Sequence, residues 1–216
     1  MDKQVEAFQA IDTALAADAL DRLGIESGCL GIRQIVTGTR AVGRASTVRF
    51  RPVNRVNPPN NVDFLDEVPA GNIAVLDNGG REYCSVWGDI MTVHAITKGL
   101  AGTVVDGVCR DIIKMRELHY PMFSRGTFMQ TGKDRIETDA INVPVTVGGR
   151  QVCPGDIIIA DDTGVVVVPA AKADEVIAIA KEIEAAETAI IELLQQGRTL
   201  REAREIRGYY TLQTKR

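Results

Sequence analysis

Two short segments, Gly88-Asp89-Ile90-Met91 and Gly107-Val108-Cys109-Arg110-Asp111, hold the residue types in this chain best suited to chemistry. An Arg-Asp pair at a strand end can hold an anion and a metal ion side by side. The guanidinium takes carboxylate oxygens in a fork, and the carboxylate offers hard oxygen ligands. A Gly-Asp turn that opens a helix adds backbone N–H groups, which attract anions. The combination implies a site for a small carboxylic acid, and therefore a small-molecule enzyme. Taken alone, Arg110-Asp111 reads as a structural ion pair following a strand.

Other chemistry-bearing residues read as structural. Cys29, Cys84, Cys109 and Cys153 form no Cys-x-x-Cys pair, and His94 and His119 have no zinc-like spacing, so neither a zinc site nor a disulfide framework is expected. Buried thiols are expected for all four, with Cys109 singled out by its place beside Arg110. Asp161-Asp162-Thr163-Gly164 lies between two apolar runs and fits a tight turn better than a paired-carboxylate site. His94, five residues after Asp89, reads as a packed or surface histidine, and Trp87 as either core or pocket wall. Lys98 and Lys114, the candidates for a Schiff-base mechanism, sit on polar helical faces as solvated charges.

The elements that must position these residues follow from periodicity. Helical spacing covers residues 5 to 23, ending at Gly24, then Asp89 to Lys98 with a stop at Gly99, Ile112 to Leu118, and a long stretch from Lys172 to Gln196. Its apolar stripe needs either its own sheet or a second subunit as a partner. Strand patterns cover residues 41 to 51, Asn72 to Asp77 closed by a turn at Asn78-Gly79-Gly80, and Gly102 to Asp106. Pro121 to Phe123 is extended, and Val143 to Val147 leads into a Gly148-Gly149 hairpin. Ile157 to Ala160 and Val165 to Val168 are too apolar to be anything but central strands. A short helix is expected at Asp63 to Glu67, a Pro/Asn loop at Asn54 to Asn61, and a polar tail containing Tyr209-Tyr210 that crosses to a neighbouring subunit or stays loose.

With 216 residues, 45% of them hydrophobic and 25% charged, the chain can bury a substantial core. No linker, low-complexity tract or repeat divides it, so residues 1–216 are expected to form one domain. A net charge of -4 and a pI near 5.3 argue against general affinity for nucleic acid or anionic membrane. No apolar run reaches membrane-span length, and the acidic start lacks signal-peptide regions, so a cytoplasmic location is expected. No glycine-rich cofactor loop follows a first strand, which sets a methyltransferase aside.

Several segments occur in a recognisable order: Asp18-Ala19-Leu20-Asp21-Arg22-Leu23-Gly24, Ser85-Val86-Trp87-Gly88-Asp89, Gly99 to Gly107, Arg110-Asp111, Pro121-Met122-Phe123, Val143-Pro144-Val145, Pro154-Gly155-Asp156 and Ala160 to Val165. Together they resemble the RraA-like family, which includes the 4-hydroxy-4-methyl-2-oxoglutarate/4-carboxy-4-hydroxy-2-oxoadipate aldolases and the regulators of ribonuclease activity A. The resemblance spans about residues 12 to 185. It implies an α/β fold, a layered α-β-β-α sandwich of the swivelling, phosphohistidine-domain-like kind, assembled as a homotrimer or dimer of trimers with sites at subunit contacts. It also implies a metal-dependent pyruvate aldolase that decarboxylates oxaloacetate, with Mg²⁺ or Mn²⁺ as cofactor.

Carried onto this sequence, the resemblance gives Gly88, Asp89, Ile90 and Met91 as the loop whose amides hold the pyruvyl carboxylate. Arg110 holds the same ligand, Asp111 binds the metal, and Asp89 accepts hydrogen bonds from metal-bound water. The family signature is an Asp, twenty residues, Arg-Asp, two residues, then Glu or Asp. Asp89, Arg110 and Asp111 satisfy it, but Lys114 stands at the last position. A cation one helical turn after Asp111 would repel a metal or pair with Asp111 or a substrate carboxylate. Members lacking the acid include the regulators, so a non-catalytic protein binding a ribonuclease or helicase is the alternative reading.

Overall fold

Successive residues on the central strands face different cores, and this alternation defines the layers. The computed structural model describes residues 2–54 and 63–206. In chain order these form α1 (Lys3–Phe8), α2 (Thr13–Arg22), β1 (Arg33–Gln34), β2 (Ala41–Pro52), β3 (Ile73–Ser85), α3 (Asp89–Lys98), β4 (Gly102–Cys109), α4 (Ile112–Glu117) and β5 (Met122–Thr127). There follow β6 (Ile136–Ile141), β7 (Val145–Val147), β8 (Arg150–Val152), β9 (Ile157–Ala160), β10 (Val165–Val168), α5 (Ala173–Gln195) and α6 (Leu200–Ile206).

Strand β2 is long enough to serve two sheets. Its first residues, Ala41–Arg44, pair antiparallel with β9, which pairs with β10. Residues Ala45–Arg49 pair parallel with β3, and the far end pairs antiparallel with β6. The order β1-β5-β4-β3-β2-β9-β10 thus folds over at β2. Between the two halves lie Ala45, Ile73, Val75, Val104, Phe123, Ile158, Val165 and Val167, together with the small β7–β8 hairpin. The opposite faces carry helices. Ala74, Leu76 and Val105 pack with Trp87, Ala95 and Met115 on the α3/α4 side. Ile157, Ile159, Val166 and Val168 pack with Leu20, Val176, Ala180 and Ile183 on the α1/α2/α5 side. This is the expected α-β-β-α layering, produced by the period of two in a strand.

The long apolar stripe of α5 is met by its own sheet and by α2. The Gly148-Gly149 hairpin forms with both glycines at positive φ (55° and 79°), as a two-residue turn requires. Helix α3 has the expected bounds and ends at Gly99 in the left-handed conformation. The Phe64–Glu67 segment is one 3-10 turn.

Several boundaries differ from the sequence reading. The helix expected over residues 5–23 is two helices. Asp12 caps the second by accepting from the Leu15 amide at 2.8 Å, while Arg40 takes the carbonyls of Phe8, Gln9 and Ile11 that end the first. Local capping therefore overrides continuous helical periodicity. The turn expected at Asn78-Gly79-Gly80 does not reverse the chain. Gly79 and Gly80, at φ 59° and 69°, form an irregularity inside β3, where the register against β4 shifts after Asp77 and again after Arg81. The strand bends and continues to Ser85. Strand β4 runs on to Cys109, and β5 begins at Met122 with Pro121 contributing only its carbonyl, to Thr103. Strand β6 and helix α6 were not anticipated. Residues 55–61 of the expected loop and Tyr209-Tyr210 lie outside the described residues.

Candidate active site

Strands β3 and β4 are parallel neighbours, so the segments that follow them emerge side by side. The crevice at the carboxyl ends of such strands is the usual place for a ligand in open α/β sheets. Here topology brings residues 88–91 and 110–111 together across the intervening α3 and β4. The Arg110 amide donates to the Trp87 carbonyl at 3.0 Å and fixes the two segments to each other.

Gly88 caps α3 without a side chain, leaving the first-turn amides turned outward. A larger residue there would force the Asp111 carboxylate to shift, because a Cβ would stand 2.7 Å from Asp111 Oδ2 and 3.4 Å from Arg110 Nε. Asp111 itself takes the left-handed conformation (φ 58°, ψ 37°) at the start of α4. A non-glycine residue held there is mildly strained, a condition that clusters at functional sites. Its Oδ2 accepts from the Asp89 amide at 3.3 Å and lies 3.3 Å from Arg110 Nε. Its Oδ1 takes no protein hydrogen bond among the described residues. The Ile90 amide donates to Asp89 Oδ1 at 2.8 Å. Two of the helix-start amides expected to meet a ligand are therefore held by this chain's own carboxylates.

A cleft of about 510 Å³ opens beside these groups. Gly88, Asp89, Ile90, Met91 and Arg110 line it, while Asp111 stands behind Gly88 and outside the lining. The opposite wall comes from Ser85, which opens one of the ordered segments above, and from Thr131, Lys133, Glu137 and Thr138, which carry no such signal. For Glu137 and Thr138 the available signal is the alternation of Ile136-Glu137-Thr138-Asp139-Ala140-Ile141, which is too polar to stand out as a strand.

The other candidates resolve individually. Trp87 is buried, stacks on Tyr120 with ring centroids 6.0 Å apart, and donates to Thr92 Oγ1 at 2.9 Å, so it is both core and floor of the cleft. His94 points away and lies 2.7 Å from Asp66. Lys98 binds the Asp66 carbonyl. Lys114 lies 3.2 Å from Glu117 rather than on Asp111. Asp161 takes the amide and hydroxyl of Thr13 at 2.9 and 2.6 Å, which confirms a structural turn. Burial pushes the Cys109 thiol up to about 11 despite the Ser124 hydroxyl beside it, and Cys29 up to about 12, so neither is a nucleophile at neutral pH.

Among the described residues no three His, Cys, Asp or Glu side chains form a ready metal cage. The donor set fits a different kind of site. A small hard cation keeps several waters and uses one or two carboxylates, and Asp111 Oδ1 with Asp89 nearby meets that demand.

Comparisons with known proteins show which family the chain belongs to. Protein DlpA of Legionella pneumophila is 37% identical over 196 residues, covering 90% of this chain; the chain spans only about a third (32%) of that relative's length. A putative 4-hydroxy-4-methyl-2-oxoglutarate aldolase of Halalkalibacterium halodurans is 34% identical over 84% of this chain and 83% of its own. The crystal structure of Streptomyces coelicolor RraAS2, described as an unusual member of the RNase ES inhibitor RraA protein family, superposes with a TM-score of 0.79 at 31% identity, covering 92% of this chain and 98% of that one. The family profile described as RraA-like, Aldolase/RraA, matches residues 13–167, a span that carries both segments of the cleft, and the chain belongs to that family.

Proposed function

We propose that the chain is a divalent-metal-dependent pyruvate aldolase that cleaves a 4-hydroxy-2-oxo acid such as 4-hydroxy-4-methyl-2-oxoglutarate and also decarboxylates oxaloacetate. The observation that carries this reading is the meeting of Arg110-Asp111 with a helix start that has no side-chain cap, at the ends of adjacent parallel strands. Similarity to a putative aldolase supports it at the level of the family.

Arg110 and the amides of Ile90 and Met91 hold the substrate carboxylate, which displaces Asp89 Oδ1 from the Ile90 amide. Freed in this way, Asp89 would accept hydrogen bonds from water on a metal held by Asp111. As the protein ligand, Asp111 would hold Mg²⁺ or Mn²⁺, which when bound would supply Lewis acidity for the negative charge that develops as the C–C bond breaks. Arg110, on the wall of the cleft, reinforces that stabilisation. Cleavage of C3–C4 and loss of CO₂ from oxaloacetate pass through the same enolate, so one site serves both. The active assembly is a homotrimer or dimer of trimers. Ile90, Ile113 and Met129, exposed by 82%, 71% and 75% on the segments around the cleft, support a subunit contact there.

A regulator without strong catalysis is the second reading. Lys114 in place of the family's acid favours it, as does the similarity to RraAS2. Pyruvate release coupled to lactate dehydrogenase decides between them, using both substrates in Mg²⁺, Mn²⁺ or EDTA against protein-free blanks. Turnover that is lost in EDTA and in Asp111→Ala supports the lyase. Absence of turnover with either metal removes it and leaves the regulator.

A further inference from the structure

Strand β6 brings to the cleft a carboxylate that the roles above leave unused. Glu137 stands opposite Arg51 in the β2–β6 register, and its Oε1 accepts from Arg51 Nε at 2.8 Å. The side chain is only 2% exposed, and Oε2 has no hydrogen-bond partner among the described residues. Glu137 nevertheless lines the same cleft as Gly88, Asp89 and Arg110. A charged oxygen withdrawn from water without a donor is destabilising, and such a group in a native structure calls for a ligand or a reaction that uses it.

Arg51 also binds Asp139 Oδ1 at 3.0 Å through Nη1, so it stays paired when Glu137 rotates toward the cleft. The other carboxylates of the cleft are differently placed. Asp63 is exposed to solvent, and Asp89, once displaced from the Ile90 amide, already has a role beside the metal in the reading above. Of the cleft carboxylates, Glu137 is the one whose hydrogen bonding a ligand would complete. With Arg110 and the α3 amides holding the carboxylate end, the donor that a 4-hydroxy-2-oxo acid can offer to the far wall is its C4 hydroxyl.

We infer that Glu137 is the general base of aldol cleavage, an assignment that rests on the aldolase reading above. Glu137 Oε2 accepts the proton of the C4 hydroxyl. The O–H pair becomes the new carbonyl bond of the departing product, and the C3–C4 pair passes into the pyruvate enolate. The proton held by Glu137 then returns to C3, which gives pyruvate and restores the carboxylate. Oxaloacetate has no C4 hydroxyl; its decarboxylation needs no base at this position, and the enolate it leaves takes its C3 proton from solvent water.

The two reactions therefore separate in a Glu137 variant. With Mg²⁺ present, E137Q is expected to lose at least about 100-fold in kcat for 4-hydroxy-4-methyl-2-oxoglutarate cleavage, the usual contribution of a positioned base. Its oxaloacetate decarboxylation should stay within about threefold of the parent. Equal loss of both activities, or loss of neither, overturns the assignment. If E137Q does not fold by circular dichroism, E137D is measured instead, and an unchanged ratio of the two activities overturns it. A parent protein inactive on both substrates removes the aldolase reading, and the assignment with it. A parent active on both, with an E137Q variant of unchanged ratio, removes the assignment alone.

Discussion

At the scale of single residues, Gly88 and Lys114 make the sharpest predictions. Gly88 is held by lack of space as well as by its role as a helix cap, because a methyl group there meets Asp111 Oδ2 at 2.7 Å. Gly88→Ala should push the Asp111 carboxylate away from the helix start and lower kcat/KM by at least about tenfold, since a displacement near 1 Å is enough to disrupt a positioned site. An unchanged kcat/KM in the coupled assay would show that Asp111 need not sit there. Lys114 turns outward to Glu117, 3.2 Å away, so it leaves Asp111 unpaired with it, but its charge remains one helical turn from the proposed metal ligand. Lys114→Glu should tighten Mg²⁺ binding several-fold by calorimetry. Weaker or equal binding would show that this position does not influence the metal.

At the scale of elements, Asp161 ties α2 to the β9–β10 turn. Burial alone would raise its pKa, but the hydroxyl and amide of Thr13 and the amides of Thr163 and Gly164 outweigh burial and hold the pKa below the ordinary carboxylate value of 3.8. A lowered folded-state pKa means that the contribution to stability is present above the unfolded value and is lost as pH falls through the folded one. Asp161→Asn should cost about 1.5–3 kcal/mol at pH 7, the range for hydrogen bonds to a charged group. The loss should shrink below pH 4 in urea titrations, and a loss independent of pH would locate the effect elsewhere. Residues 5–23 show why this joint was hidden: helical periodicity runs through Gln9–Asp12, and capping by Asp12 and Arg40 decides the break. At Asn78-Gly79-Gly80 the same residue types that close a hairpin instead bend one strand, because β4 and β5 continue alongside it.

At the scale of the whole molecule, two sheets sharing β2 bury three layers of side chains, and the cysteines follow that burial. Cys29, Cys84 and Cys109 are buried, and burial raises the thiol pKa of each, while Cys153 is partly exposed. A disulfide reagent under native conditions should therefore label Cys153 first, with the others reacting only on unfolding. Fast native labelling of Cys109 would show that the α4 side of the core opens. Phe123 lies between the sheets with no exposure, and Phe123→Ala should destabilise by about 3–5 kcal/mol in denaturant melts. Among the described residues, no helix is long and apolar enough to cross a membrane.

The amino-acid sequence by itself determined what is local. Helix α3 with its glycine stop, the central strands Ile157–Ala160 and Val165–Val168, the Gly148-Gly149 turn and the identity of Arg110-Asp111 all follow from spacing and residue type. Ordered motifs added the family. Tertiary structure alone decided the far wall of the cleft, because Lys133 and Glu137 owe their place to β6 pairing with β2, whose partner lies some ninety residues earlier in the chain. It also decided that Asp111 adopts the left-handed conformation and that Lys114 faces Glu117. Non-local pairing and the backbone angle at one aspartate leave no period in the sequence, since each is set by what the rest of the chain packs against that position.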